Sequence, residues 1–281
     1  MTRGLAYRIF TRILIHRGEH ASRRGSYPSL GQLIAKGWAA QTKVGMTGLG
    51  LQAGDYFKQA LEIDANNVAA LVGLSAYKIM RVITFTSDAP DALLDDAEPL
   101  LRKALVRNPY ASRPYHYLGL LEKARRRPME ALAAIGRAIE LDPSFAPAYG
   151  AAANILARMG RTKDGLKHAL YAIQLGPRDP SVGIWHLFAG EIELEIGNDQ
   201  QALKWLKESV MLNPQGPFGL AALAALHRLR GESDAAFQVA DRMSAFAPWL
   251  TVDGMIDRLV GSSQRGHEPR RLLKGLEKTF G

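Results

Sequence analysis

The groups in this sequence with chemistry of their own are seven histidines, two acidic runs, one arginine run and a glycine-rich stretch. The histidines (His16, His20, His116, His168, His186, His227 and His267) are scattered, with no His-Glu-x-x-His of a zinc protease among them. There is no Gly-x-Ser-x-Gly elbow and no phosphate-cradling Walker loop. Asp95-Asp96-Glu98 and Glu191-Glu193-Glu195 could supply paired carboxylates, but acid–base work also needs a cleft and a perturbed pKa. Both runs lie on helical segments and read as solvated faces. Arg125-Arg126-Arg127 falls at a helix C-terminus, where cations suit the helix dipole, and reads as a solvated cap rather than a phosphate site. Gly48-Leu49-Gly50-Leu51-Gln52-Ala53-Gly54 has the wrong glycine spacing for a dinucleotide loop, and no strand precedes it. The expectation is a chain with no catalytic residues, no metal site and no cofactor.

The elements carrying these residues repeat. Tyr115, Leu118 and Gly119, then Ala131, Ile135 and Ala138, then Asp142-Pro143, return 34 residues later as Tyr149, Ala152, Ala153, Gly165, Ala169, Ala172 and Gly176-Pro177. Tyr115, Leu118 and Leu121 make one stripe of a first helix, and Gly119 on that stripe lets a neighbour approach closely. Pro128 suits the first turn of a second helix, and Pro143 ends it. Ala131, Ile135 and Ala138 alternate small and large on its inner face. Two short helices cannot bury such faces alone, so the pairs must stack.

The period, with this order of residues, resembles the tetratricopeptide repeat. The resemblance implies an all-α, right-handed superhelical solenoid of about six helix pairs with a C-terminal helical cap. The repeats are expected at about 29–65, 66–109, 110–143, 144–177, 178–214 and 215–248. The second carries an insertion from Val82 to Leu93 in which Ser87 or Asp88 could cap a helix. Residues 249–281 break the pattern and read as two capping helices, roughly Val252–Leu259 and Pro269–Thr279. Leu33-Ile34-Ala35-Lys36-Gly37-Trp38, Ala60-Leu61-Glu62-Ile63-Asp64, Pro177-Arg178-Asp179-Pro180 with Trp185, and Leu272-Leu273-Lys274-Gly275-Leu276 resemble the C-terminal repeat region of bacterial class III nucleotide cyclases and winged-helix regulators.

The resemblance also implies where a partner binds, because in the tetratricopeptide family the first helix of each pair lines a concave groove. By slot, that groove takes Arg113, His116, Leu120 and Lys123 from repeat three, and Asn154, Ala157 and Arg158 from repeat four. Repeat five gives Leu187, Glu191 and Glu195, and repeat six Phe218, Ala225 and Arg228. Asn154 fits one slot of the carboxylate clamp that some members use, but Gly150 stands where that clamp needs a cation. The expected activity is non-catalytic binding of a peptide or protein; the alternative is a regulatory module of a cyclase or transcriptional regulator, detached from its effector domain.

Composition agrees. The net charge of +9 is concentrated in residues 1–48, while residues 49–248 are neutral, so no basic stripe for nucleic acid runs along the array. The absence of cysteine fits a reducing, cytoplasmic setting. Residues 3–17 read as a basic amphipathic helix, with Leu5, Ile9 and Ile13 on one face, followed by a linker to residue 28. Such a helix can lie on an anionic membrane surface, pack on the first repeat or connect to a longer polypeptide. No apolar run is long enough for a transmembrane helix.

Overall fold

The computed structural model describes residues 28–47, 51–261, 263 and 266–280. The amphipathic segment at residues 3–17 and the glycines at 48 and 50 lie outside the described residues. Fourteen helices and no strand are present among the described residues. They divide between two units, Met1–Phe145 and Ala146–Gly281.

The first unit contains α1 (Leu30–Thr47), α2 (Leu51–Ile63), α3 (Val68–Ile83), α4 (Pro90–Arg107), α5 (Ser112–Ala124) and α6 (Pro128–Leu141). Consecutive helices pair as α1/α2, α3/α4 and α5/α6, and each pair packs on the next. Glycine against a large side chain sets the spacing. Phe57 of α2 is fully buried between Gly37 of α1 and Gly73 of α3, and a Cβ on either glycine would lie under 3 Å from its ring. Gly119 of α5 meets Ile135 of α6 in the same way. Ser75 replaces glycine at the matching place in α3, and its hydroxyl donates to the carbonyls of Leu71 (2.8 Å) and Ala97 (3.2 Å).

The insertion in the second repeat goes largely into helix. α3 has 16 residues and α4 has 18, against 13 and 14 in α5 and α6. The cap expected from Ser87 or Asp88 is not formed, because α4 begins at Pro90 after Ala89. Ser87 instead accepts from the Ala89 N–H, two residues too early to serve the helix.

The second unit contains α7 (Ala146–Arg158), α8 (Thr162–Leu175), α9 (Val182–Glu195), α10 (Asp199–Leu212), α11 (Pro217–Leu229), α12 (Ser233–Phe246), α13 (Val252–Gly261) and α14 (Arg270–Phe280). The first six again form pairs. Trp185 sits under Gly150 and Gly176, and Leu206 under Gly190.

From the third repeat to the sixth, the two helices of a pair are joined by the same turn. Its central residue has positive φ: Arg126 (61°), Gly160 (77°), Gly197 (90°) and Gly231 (79°). The following N–H reaches back to the carbonyl five residues earlier, as in Arg127 to Glu122 and Arg161 to Leu156, which is the Schellman pattern that satisfies helix-end carbonyls. Arg126 is thus a left-handed residue where the later repeats place glycine. Its neighbour Arg125 is no solvated cap: its side chain is 17 % exposed and pairs with Asp95 (2.7 Å) and Glu98 (2.6 Å). Asp96 pairs with Lys78 at 2.8 Å. The first acidic run therefore ties α4 to its neighbours rather than merely facing water. No helix of the described residues is long and apolar enough to cross a membrane.

Candidate functional site

In the first unit, the expected groove residues come from α5. Arg113 lies over Trp38, 5.2 Å from the ring centre. His116 is a core residue, buried and edge-on to Tyr117 and Phe145. Its Nδ1 has no partner, and burial with the nearby Arg113 charge pushes the ring down to about 3, so it stays neutral. Leu120 packs against the core, and Lys123 is half-buried. These positions are packed side chains of the first unit rather than open groove charges.

The second unit has a cleft. Its volume is about 380 Å³, and Asn154, Arg158, Thr162, Glu191, Glu195 and His267 are among its lining. By slot, Arg158, Glu191 and Glu195 are expected to be open groove charges, and the structure corrects that reading. Arg158 and Glu191 are 7 % and 8 % exposed and bonded at 2.5 Å. Arg158 is thus spoken for rather than a free cation. The second acidic run is not a solvated face either. Glu193 is buried and accepts from the Asn198 amide at 2.9 Å. Glu195 accepts from the backbone N–H groups of Arg271 (3.2 Å) and Leu272 (2.8 Å), the first turn of α14. Burial pushes the Glu195 carboxyl above its usual range, against the pull of those two donors. The physical reason is helix α9 itself, which is covered on all sides, so its polar groups must find partners inside.

Asn154 is the exception. It is 4 % exposed, lines the cleft, and its side-chain amide has no hydrogen-bond partner among the described residues. Lining the cleft, that amide offers two donors and an acceptor to whatever enters it.

The remaining expected groove residues are covered by the chain's own C-terminus. Leu187 is buried in the second unit's core, and Phe218 packs against it. Ala225 lies under Gly275 of α14, where a Cβ would come within 2.8 Å. Arg228 donates to the Lys278 carbonyl at 3.0 Å and to the Ser233 hydroxyl at 2.6 Å. The sequence places the two helices after residue 249 as a cap on the open end of the stack. They run Val252–Gly261 and Arg270–Phe280, and α14 packs chiefly on α11 rather than on α13. Sequence reasoning does not anticipate Thr162, His267 or Arg271 at this site; only the fold brings them in. Among the described residues, no cluster of histidine and acidic groups could hold a metal ion.

No protein-family model matches the sequence, and no curated protein matches it. Solved structures do match. TTC0263, a thermophilic TPR protein in Thermus thermophilus, is similar over 77 % of this chain and 98 % of its own, at TM-score 0.52 and 16 % identity. Cut9, in the APC/C hetero-tetramer Cut9-Hcn1, is similar over 90 % of this chain at TM-score 0.64 and 14 % identity; this chain spans 46 % of it. Human IFIT1, solved as a dimer with PPP-AAAA, is similar over 90 % of this chain and 60 % of its own, at TM-score 0.63 and 16 % identity. These likenesses show the fold: the chain folds as tetratricopeptide-type helix pairs.

Proposed function

We propose that this protein is a non-catalytic binding module, and that the cleft of its second unit takes a short peptide segment of another protein. The observation that carries the reading is Asn154. Around it the charged groups are already matched, Arg158 to Glu191 and Glu195 to the start of α14. Beside these matched charges Asn154 lines the cleft with an amide that makes no side-chain hydrogen bond among the described residues, and an amide pairs naturally with a peptide backbone because it both donates and accepts. The cleft volume suits a few residues of extended chain. TPR-type folds in which partners dock along the first helices support the same reading. The cysteine-free composition suits a reducing compartment such as the cytoplasm.

Selection of a phage-displayed random dodecapeptide library on the full chain tests this. Enriched peptides, resynthesised, should bind the wild type and bind Asn154→Ala at least about tenfold more weakly, since an unpaired polar group in a desolvated site costs at least one such factor. The melting temperature of the variant should stay within a degree or two. Enriched peptides that bind Asn154→Ala as well as wild type, or a library that yields no enrichment, would remove the cleft as the binding site.

A further inference from the structure

Helix α14 falls where the second helix of a seventh pair would begin, yet it does not pair with α13 as the others pair. It lies across α11 and reaches α9, over the positions from which a tetratricopeptide groove is built. Its contacts are those of a bound helical ligand. One stripe, Leu272, Gly275, Leu276 and Thr279, is buried at spacings of three, one and three, while Arg270, Lys274, Glu277 and Lys278 face solvent. Gly275 lets the helix backbone rest on Ala225. Both ends are gripped by side chains of the groove. At the start, Glu195 takes two first-turn N–H groups, and Asp199 holds the Arg271 guanidinium through two bonds of 2.7 and 3.1 Å. At the end, Arg228 takes a carbonyl of the last turn. A groove that offers carboxylates to a helix N-terminus and a cation to its C-terminus reads helix polarity as well as side chains.

From this geometry we propose that the α9/α11 face is a docking surface for a basic amphipathic helix of a partner protein, and that α14 is its resident, exchangeable occupant. The chemistry of the partner is set by what α14 must match. It needs arginine in the first turn for Asp199, leucines four apart with a small residue between them, and a net positive charge against Glu195 and Asp199. An 11-residue helix with a central glycine is marginal by itself, so the groove holds α14 in place rather than intrinsic helicity. A partner helix of the same pattern therefore competes for the same contacts, and α14 sets the threshold through its high effective concentration. The cleft beside Asn154 shares Glu195 and Arg271 with this face, but Asn154 itself touches none of the contacts that hold α14, so Asn154→Ala tests the first reading alone.

The probe is a fluorescein-labelled synthetic peptide with the sequence of residues 267–281. Its anisotropy is read against the full chain and against full-chain variants that release α14: Leu272→Glu with Leu276→Glu, and separately Arg271→Glu. The release variants should bind the peptide at least tenfold more tightly than wild type. Adding Glu195→Lys with Asp199→Lys should abolish that binding, and raised salt should weaken it. With wild type, an excess of isotopically labelled peptide should speed hydrogen exchange in residues 270–280 and leave α11 protected. Equal binding to wild type and folded release variants, or binding that ignores the charge reversal, overturns the proposal. So does loss of helical circular dichroism in both release variants, which would make α14 an integral layer of the core. Release variants that dimerise without taking up peptide would replace the partner with a second copy of this chain.

Discussion

The two units are built from the same helix pair, yet they treat polar side chains differently. In the first, the buried polar residues among those described are Ser75 and His116. In the second, Asn154, Arg158, Asp179, His186, Glu191, Glu193, Ser209, His227 and Thr279 are all buried. The first unit leaves its ion pairs partly open: Arg125 is mostly covered, and of its partners Asp95 is 73 % exposed and Glu98 21 %. The second buries both members of its central pair. Identical architecture thus gives two electrostatic regimes, and one cause is the coverage that α14 lays over α9 and α11. What would be a wet face in an open stack becomes an interior in which every charge needs a counterpart.

The sharpest way to break this comparison is to delete one arginine from each unit. Arg158→Ala leaves Glu191 charged and buried, which costs about 3–5 kcal/mol. Arg125→Ala removes a partly open cluster with Asp95 and Glu98 and should cost less, about 1–2 kcal/mol. Urea denaturation of both variants measures the gap. Equal losses would mean that the second unit's pair is hydrated in solution.

A smaller effect comes from acid. The folded-state value of His116 lies below its ordinary 6.5, at about 3. Its contribution to stability is therefore complete above 6.5 and is lost as pH falls towards 3, because the unfolded chain takes up a proton that the folded chain refuses. The slope it adds is at most about 1.4 kcal/mol per pH unit. His116→Phe, which suits the ring cluster of Tyr117 and Phe145, should flatten stability between pH 6.5 and 4.5. An unchanged slope would show that the ring is protonated in the native state.

The smallest expected change is a gain. Arg126→Gly puts the residue found in the three later turns into the first, and should stabilise by about 1 kcal/mol by relieving left-handed backbone strain. Differential scanning calorimetry would register a rise of a few degrees; a fall would show that Arg126 makes contacts worth more than its strain.

The pairing of helices was legible because it rests on local rules: a 34-residue spacing, small residues opposite large ones, and proline at helix starts. The fate of the charges was not, because a polar residue type does not by itself say whether the fold covers it. One sign was present. Glu191, Glu193 and Glu195 stand two apart, and at about 100° per residue they cannot share one face of a helix. Glu191 and Glu195 turn to the cleft, and Glu193 turns to Asn198. Gly275 was a second sign, since glycine inside a short helix is unfavourable unless another backbone comes close. The return of α14 onto α11 was out of reach, because it depends on contacts with residues that lie 50 to 77 positions away. The repeat slot singles out Asn154, but its missing partner is a property of the fold.

The lengthened pair α3/α4 has a geometric consequence. Measured from Ser75 and from Gly119, each against the inner face of its partner helix, α3 and α5 begin at the same level, and α3 runs on three residues further. α4 begins four residues earlier than α6 relative to Ala97 and Ala131. Both extensions therefore rise at the end where the two helices are joined, and at 1.5 Å per residue they make a step of about 5 Å. A flat surface resting on that rim meets α3 and α4 and stands clear of α5 and α6. Within the first unit the rim therefore steps down from the second repeat to the third, and a partner resting on it would meet two levels rather than one plane.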